Sequence, residues 1–420
     1  MPSSALAHAP PPQMPGNLVP NEDARGLKEE VSILLERDRT TFPGAQPVSF
    51  GREHLAELQQ REYFMCEKTD GLRVLLFMHW YDDGTGPRPI TFLIDRKNNY
   101  YNIDPAIRVP YWQDPMDREK FLFGTILDGE LVNDQYPGEP APRLIYYVFD
   151  ALVVDSQNVT QKGMDKRLGR MKEHVLKPYN KWLEQNPSLN VSHMQPFRIK
   201  EKMMHQSYHL QHVLSTILPT LKHGNDGLIF TCKDTRYQFG TDQHILKWKP
   251  PHENTIDFKL RLGDFPLIDP EDDEDGPIPD YDALPAPMEL LVLHNNNDYQ
   301  TFTRLDVTPD EWKVLKSLNQ RLDGRIIECY RATSGHWKFK AEADGTPRWR
   351  DDKKDANHIS TVKSVLASIE NPVTELDLLG YEQRIKEAVY RIQGRPLPAQ
   401  SGEDEREAKK RKYSEANGQH

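Results

Sequence analysis

Glu67-Lys68-Thr69-Asp70-Gly71-Leu72-Arg73 (EKTDGLR, Glu67–Arg73) follows the strand-forming run YFMCE (Tyr63–Glu67) and precedes a longer one, LRVLLFMHW (Leu72–Trp80). Its Asp70-Gly71 pair therefore falls where a turn is needed. A lysine between a strand and a turn can act as a covalent nucleophile once its amine is neutral. Its free pKa of about 10.4 must then be lowered by neighbouring cations or by desolvation. Alone, K-x-D-G is a weak signal that also fits a surface hairpin lysine.

Further strands are predicted downstream at ITFLID (Ile90–Asp95), TILDGELV (Thr125–Val132), IYYVFDALVV (Ile145–Val154), GLIFTC (Gly227–Cys232), HILKWK (His244–Lys249) and TIDFKLRL (Thr255–Leu262). Helical patterns cover Met164–Leu183 and Tyr208–Leu221. Upstream, Leu27, Val31, Leu34 and Leu35 recur at helical spacing, FPGAQPVSF (Phe42–Phe50) reads as a proline-punctuated loop, and a short helix follows through His54–Gln60. The expected class is α+β with mainly antiparallel pairing. Residues 1–20, rich in Pro, Ala and Ser, read as disordered, and 21–253 as the first domain.

After the acidic break at Asp269–Asp280, short strands and one helix (Asp310–Asn319) give the strand count of a small barrel such as an OB-fold, placed at 254–370. A helix over 371–392 is expected to pack back on the first domain. The polar tail 393–420 reads as disordered, and its KKRK (Lys409–Lys412) is compatible with nuclear import.

Other segments hold polar groups in apolar surroundings. LDGEL (Leu127–Leu131) brackets a glycine with two acids inside a strand, a costly arrangement unless a cation or metal pairs them. In YVFDAL (Tyr147–Leu152) an aromatic precedes an acid, which suits stacking on a base as well as ordinary core packing. DGLIF (Asp226–Phe230) reads as a turn into a core strand. In LKWKP (Leu246–Pro250), Lys247 and Lys249 fall at i and i+2 and so share a face. RWRDDK (Arg348–Lys353) alternates basic and acidic groups as a polyphosphate clamp does.

With 37% hydrophobic and 28% charged residues and no long apolar run, the chain shows no membrane span or secretory leader. Its three cysteines, Cys66, Cys232 and Cys329, are far apart and form no CxxC, so neither a disulfide framework nor a zinc site is indicated, and a reducing compartment fits. A net charge of −10 argues against coating long nucleic acid, but not against an enzyme that touches only an RNA end.

Taken in order, K-x-D-G, D-G-E, F-D, D-G-L-I, L-K-x-K-P and R-x-D-K resemble the motif series of covalent nucleotidyltransferases, the superfamily of capping enzymes and polynucleotide ligases. FPGAQPVSF, LKWKP followed by NTIDF (Asn254–Phe258), and RWRDDK are similar to the mRNA-capping guanylyltransferases in particular. The resemblance implies an ATP-grasp-like nucleotidyltransferase domain with a C-terminal OB-fold barrel. It implies that Lys68 attacks the α-phosphate of GTP, using Mg²⁺ or Mn²⁺, and that GMP then passes to a 5′-diphosphate RNA end. On the same ground Arg73 and Arg96 contact the nucleotide, Glu130 the ribose or metal, and Phe149 stacks on guanine. Lys202 reads the base, with Lys200 left open as an alternative. Asp226 lies near the metal, Lys247 and Lys249 bind phosphate, and Asp257 follows as a further acid. Arg350, Asp352 and Lys353 engage the departing pyrophosphate, and cations around Lys68 are expected to keep its amine neutral. No H-C-x5-R loop of the kind fused in animal capping enzymes occurs, so a separate RNA 5′-triphosphatase is implied, as in fungi. The phosphorylated tail of RNA polymerase II and the nucleus are the implied partner and compartment. The alternatives are an ATP-dependent polynucleotide ligase, which shares Lys68, Glu130 and the lysine pair, and an idle scaffold on the polymerase tail.

Overall fold

Leu72–Asp82 explains the architecture of the first domain. Its residues alternate between faces, and both faces are covered. Val74, Leu76 and Met78 enter one core with Met164, Leu168, Met171 and Tyr179 from the helical segment Met164–Gln185. Leu75 and Phe77 enter another with Val31 and Leu35 at the N-terminal helix and with Tyr237. An apolar run without alternation is what a strand buried on both sides requires. The computed structural model describes residues 9–117, 119–190, 195–269, 276–342, 344–351 and 353–396.

That strand lies inside a sheet ordered Asn17–Leu18, Tyr100–Ile103, Pro87–Ile94, Leu72–Asp82, Thr125–Asp134, Arg143–Val154, Arg198–Glu201. All these neighbours are antiparallel except the last pair. A second sheet runs His205–Gln206, Tyr63–Thr69, Asn225–Cys232, Gly240–Trp248, Ala45–Ser49. Its core packs Met65, Leu228, Phe230 and Trp248 against Leu378, Ile385 and Val389 of the helix Glu375–Ile392. A capping box of Thr374 and Asp377 starts that helix, and the Trp248 indole N–H donates to the Val373 carbonyl at 2.7 Å. The helix Glu375–Ile392 is thereby docked on the first domain.

The third sheet, Asp298–Arg304, Glu289–Asn295, Thr255–Arg261, Ile326–Arg331, Trp337–Phe339, is antiparallel throughout. A parallel bridge between Leu305 and Trp337 brings its two edges together, giving the five-stranded, partly open form of an OB-type barrel. Phe258, Ile327, Trp312 and Val362 fill its interior. The α+β class with mainly antiparallel sheets holds throughout.

Two readings need correction. Phe42–Phe50 is not simply a loop, because Ala45–Ser49 pairs in parallel with Gly240–Trp248. It is the edge strand, where Pro47 is tolerated despite its missing N–H. Residues 9–20, read as disordered, are anchored: Asn17 and Leu18 pair with Asn102 and Tyr101, Met14 packs on the first core, and Asn133 donates to the Pro10 carbonyl at 3.0 Å. Residues 1–8, half of the acidic insert (270–275) and the tail from 397, with its basic cluster, lie outside the described residues. No described helix is long and apolar enough to cross a membrane.

Candidate active site

Lys68 is the penultimate residue of Tyr63–Thr69. The turn behind it is glycine because Gly71 passes close to the neighbouring sheet: a Cβ there would lie 2.4 Å from the Leu131 carbonyl oxygen. Lys68 Nζ is paired with Asp226 Oδ1 at 2.6 Å, and Lys249 Nζ with Asp226 Oδ2 at 2.7 Å. Asp226 reaches this position through Gly227, whose φ of 144° places it against the Trp248 carbonyl oxygen, 2.0 Å from where a Cβ would stand. The Asp226 carboxyl is pushed up by burial, but the charges of Lys249 and Lys68 more than reverse this and hold it below the ordinary carboxylate value. Lys68 is thus paired with a carboxylate, whereas the sequence suggested neighbouring cations or desolvation. The lysine destabilised by its setting is Lys247, whose pKa is lowered first by burial and then by Lys249, Lys68 and Arg96.

Arg73 projects from the next strand into a tight polar nest. Its Nε and Nη2 donate to Asp128 at 3.0 and 2.7 Å, and its Nη1 donates to the Ala45 carbonyl. The Tyr237 hydroxyl donates to Asp128 at 2.5 Å and accepts from the Ala45 N–H at 2.9 Å. So held, the guanidinium stands 5.5 Å from the ring centroid of Phe149, which is half-buried on Arg143–Val154. The acid beside Phe149 serves differently: Asp150 makes a buried bidentate pair with Arg167 at 2.7 and 2.8 Å. Arg96 donates to Gln46 at 2.9 Å, and the charge of Arg73, after burial, lowers its pKa.

Glu130 is a half-buried carboxyl whose pKa is raised, chiefly by desolvation, against the charges of Lys202, Lys68 and Arg73. Lys202 Nζ lies 3.8 Å from Glu130 and 3.5 Å from Glu67, and donates to the Thr69 hydroxyl. Lys202 is 3% exposed. Lys200 instead pairs with Asp134 at 3.7 Å and donates to the Tyr136 hydroxyl at 3.1 Å. Of the two lysines, it is Lys202 that lies between Glu67 and Glu130. Among the described residues no cluster of three or more His, Cys, Asp or Glu could cage a metal. Glu130 and Asp226 feel each other's charge, and two carboxylates fit Mg²⁺ or Mn²⁺, which keep waters and take phosphate oxygens as their other ligands.

A second polar cluster sits on the third sheet. Arg350 Nη1 is 3.2 Å from both Asp257 carboxylate oxygens, and Lys353 donates to the same carboxylate. Arg350 also lies 3.8 Å from Glu328. The structure gathers Lys68, Asp226 and Lys249 at one place and Asp257, Arg350 and Lys353 at another. Asp352 lies outside the described residues.

A family model described as mRNA capping enzyme, catalytic domain, matches residues 12–251, and another, mRNA capping enzyme, C-terminal domain, matches residues 253–379. The chain belongs to the mRNA capping enzyme family. The mRNA-capping enzyme subunit alpha of Neurospora crassa is 42% identical over 390 residues, covering 89% of this chain and 92% of that one. The subunit of the same name from Schizosaccharomyces pombe is 42% identical over 377 residues, covering 90% and 89%, and that from Saccharomyces cerevisiae 36% over 431 residues, covering 93% and 91%.

Several polar groups of this capping enzyme site escaped the sequence. Glu67 and Thr69 flank the nucleophile candidate, yet their types are unremarkable in a strand end. Asp128 belongs to the D-G-E motif, and Arg73 is its partner. Tyr237 gave no signal, because it sits in an irregular segment 109 positions from the aspartate it binds.

Proposed function

We propose that this capping enzyme is a GTP–RNA guanylyltransferase in which Lys68 carries GMP between two phosphoryl transfers. The Lys68 amine attacks the α-phosphorus of GTP, an N–P bond forms, and the bond from that phosphorus to the bridging oxygen breaks as pyrophosphate leaves. A terminal phosphate oxygen of a 5′-diphosphate RNA then attacks the same phosphorus, and the N–P bond breaks, returning the electron pair to Lys68. Asp226, 2.6 Å from Nζ, holds the ammonium between turnovers and is within reach to take its proton. Lys247 and Lys249 face the phosphates and stabilise charge that grows during transfer. Mg²⁺ or Mn²⁺ held by Glu130 and Asp226 would supply further charge neutralisation at the phosphate oxygens. Phe149 offers a ring to guanine, Arg73 and Arg96 contact ribose and phosphate, and Lys202 reads the base. Arg350, Asp352 and Lys353 form the pyrophosphate clamp when the two domains close, and Asp257 holds Arg350 and Lys353 until then.

The convergence of Lys68, Lys249 and Asp226 inside the matched catalytic domain is the observation that carries this reading. Incubation with α-labelled GTP and, separately, α-labelled ATP tests it. Covalent label from GTP alone is expected, whereas label from ATP alone would favour the ligase reading, and none from either the idle scaffold.

The relatives' designation as subunit alpha supports a partner subunit, here read as the separate RNA 5′-triphosphatase. The phosphorylated tail of RNA polymerase II and a nuclear location complete this reading, which co-purification with tail phosphopeptides would check.

A further inference from the structure

A row of alternating charges runs behind Lys202. Its Nζ is 3.5 Å from Glu67 Oε1, the same oxygen is 3.6 Å from His223 Nε2, and His223 Nδ1 is bonded to Asp134 Oδ1 at 2.8 Å. Four separate segments supply these side chains, and all four are buried. Buried charges are costly unless they order something. The phosphoryl-transfer chemistry uses neither His223 nor Asp134.

Asp134 is the fixed end. The Tyr147 hydroxyl donates to its Oδ2 at 2.8 Å and the Tyr136 hydroxyl at 3.3 Å, and Lys200 Nζ stands 3.7 Å away. The bond to Nδ1 then sets the plane of the His223 ring, against which the Tyr147 ring packs at 5.1 Å. Nε2 is left buried, without a hydrogen bond, and directed at Glu67. An ammonium has three donors. Thr69 takes one from Lys202, and Glu67 and Glu130 flank the ammonium at 3.5 and 3.8 Å, so its remaining donors can turn to a ligand.

We propose that His223, anchored on Asp134, is a positioning residue that steadies Glu67 and thereby holds Lys202 Nζ where it meets the purine base of bound GTP. This rests on the assignment of Lys202 to the base made above. With the imidazolium in place, Glu67 is balanced by two cations. Without it, Lys202 is the only counter-charge and is drawn onto Glu67, away from the base. Lys68, Lys247 and Lys249 are untouched, so the loss falls on nucleotide binding and selection, not on the chemical step. Burial opposes the charged imidazole, but the hydrogen bond to Asp134 and the charges of Asp134 and Glu67 outweigh it and raise His223 above its ordinary 6.5. The support to Lys202 is therefore complete below the ordinary value and fades as pH rises through the elevated one.

Steady-state labelling of the full chain with GTP and ATP, for wild type, His223→Gln, Asp134→Asn and Lys202→Ala, tests the proposal. His223→Gln should raise KM for GTP about tenfold, the size of one charge-assisted hydrogen bond, leave kcat within about threefold, and narrow the preference for GTP over ATP. Wild-type KM should rise as pH climbs above the ordinary histidine value, and His223→Gln should abolish that rise. Asp134→Asn, which leaves the imidazole in place but loosens its anchor, should shift KM the same way if His223→Gln folds poorly. Unchanged KM and selectivity in both variants, with Lys202→Ala impaired in both, would overturn the role of His223 while leaving the base assignment intact. Unchanged selectivity in Lys202→Ala would overturn both.

Discussion

Asp226 bridges two lysines, and this sets its acid response. Its carboxyl lies below the ordinary value because Lys249 and Lys68 outweigh burial. The stability it contributes is therefore complete above the unfolded pKa near ~3.9 and is lost as pH falls through the lower folded value. Urea unfolding midpoints of wild type should thus drop on acidification below about 4, and Asp226→Asn should flatten that limb of the curve. Phe149 carries a second expectation. With Arg73 5.5 Å from its ring, an aromatic platform remains for a base, and Phe149→Ala should weaken GTP use by about 1–3 kcal/mol in kcat/KM. An unchanged kcat/KM would return Phe149 to a packing role. At this scale the sequence was legible where a motif names its own residue, as with Lys68, Asp226 and Lys249. It was silent where the partner comes from elsewhere in the chain, as with Tyr237 on Asp128 or His223 behind Glu67, since no local pattern encodes a contact across sheets.

Strands were the easiest elements to read, because hydrophobic runs such as Leu72–Trp80 and Ile145–Val154 are too apolar for an exposed loop. Ala45–Ser49 was missed because two prolines and a glycine nearby outweigh its weak strand signal, and only the parallel partner Gly240–Trp248 makes it a strand. The motif glycines also act between elements. Gly71 lets the Lys68 turn pass the Leu131 carbonyl, and a methyl there must push the turn or the neighbouring strand aside. Gly71→Ala should accordingly lower stability by about 1–3 kcal/mol, seen as a reduced melting temperature. Label formation should fall with it, because the same displacement moves Lys68 relative to Asp226. A variant with wild-type melting and labelling would show that the close approach is not needed.

Across the whole molecule, the two polar clusters lie on different domains. Asp257 holds Arg350 and Lys353 on the third sheet, while Lys68 and Asp226 belong to the second and Lys249 directly follows its strand Gly240–Trp248. For the proposed clamp to reach pyrophosphate, Arg350 and Lys353 must exchange Asp257 for phosphate as the domains close. Arg350→Ala or Lys353→Ala should then slow enzyme–GMP formation and its reversal by pyrophosphate far more than transfer of GMP to RNA. Normal formation with failure only on diphosphate-ended RNA would make the third sheet an RNA site instead. The order of domains was readable from strand count and motif order. The pairing of the clamp with Asp257 was not, because the segments are 93 positions apart and meet only through the barrel.

Everything above depends on Lys68 being the covalent carrier of GMP. The direct measurement is the mass of proteolytic fragments after incubation with GTP, for wild type and for Lys68→Ala. The fragment containing Lys68 should gain one GMP, lose it in acid and keep it in alkali, as a phosphoramidate does, and Lys68→Ala should gain none. A GMP adduct on any other residue, or one persisting undiminished in Lys68→Ala, would contradict the assignment.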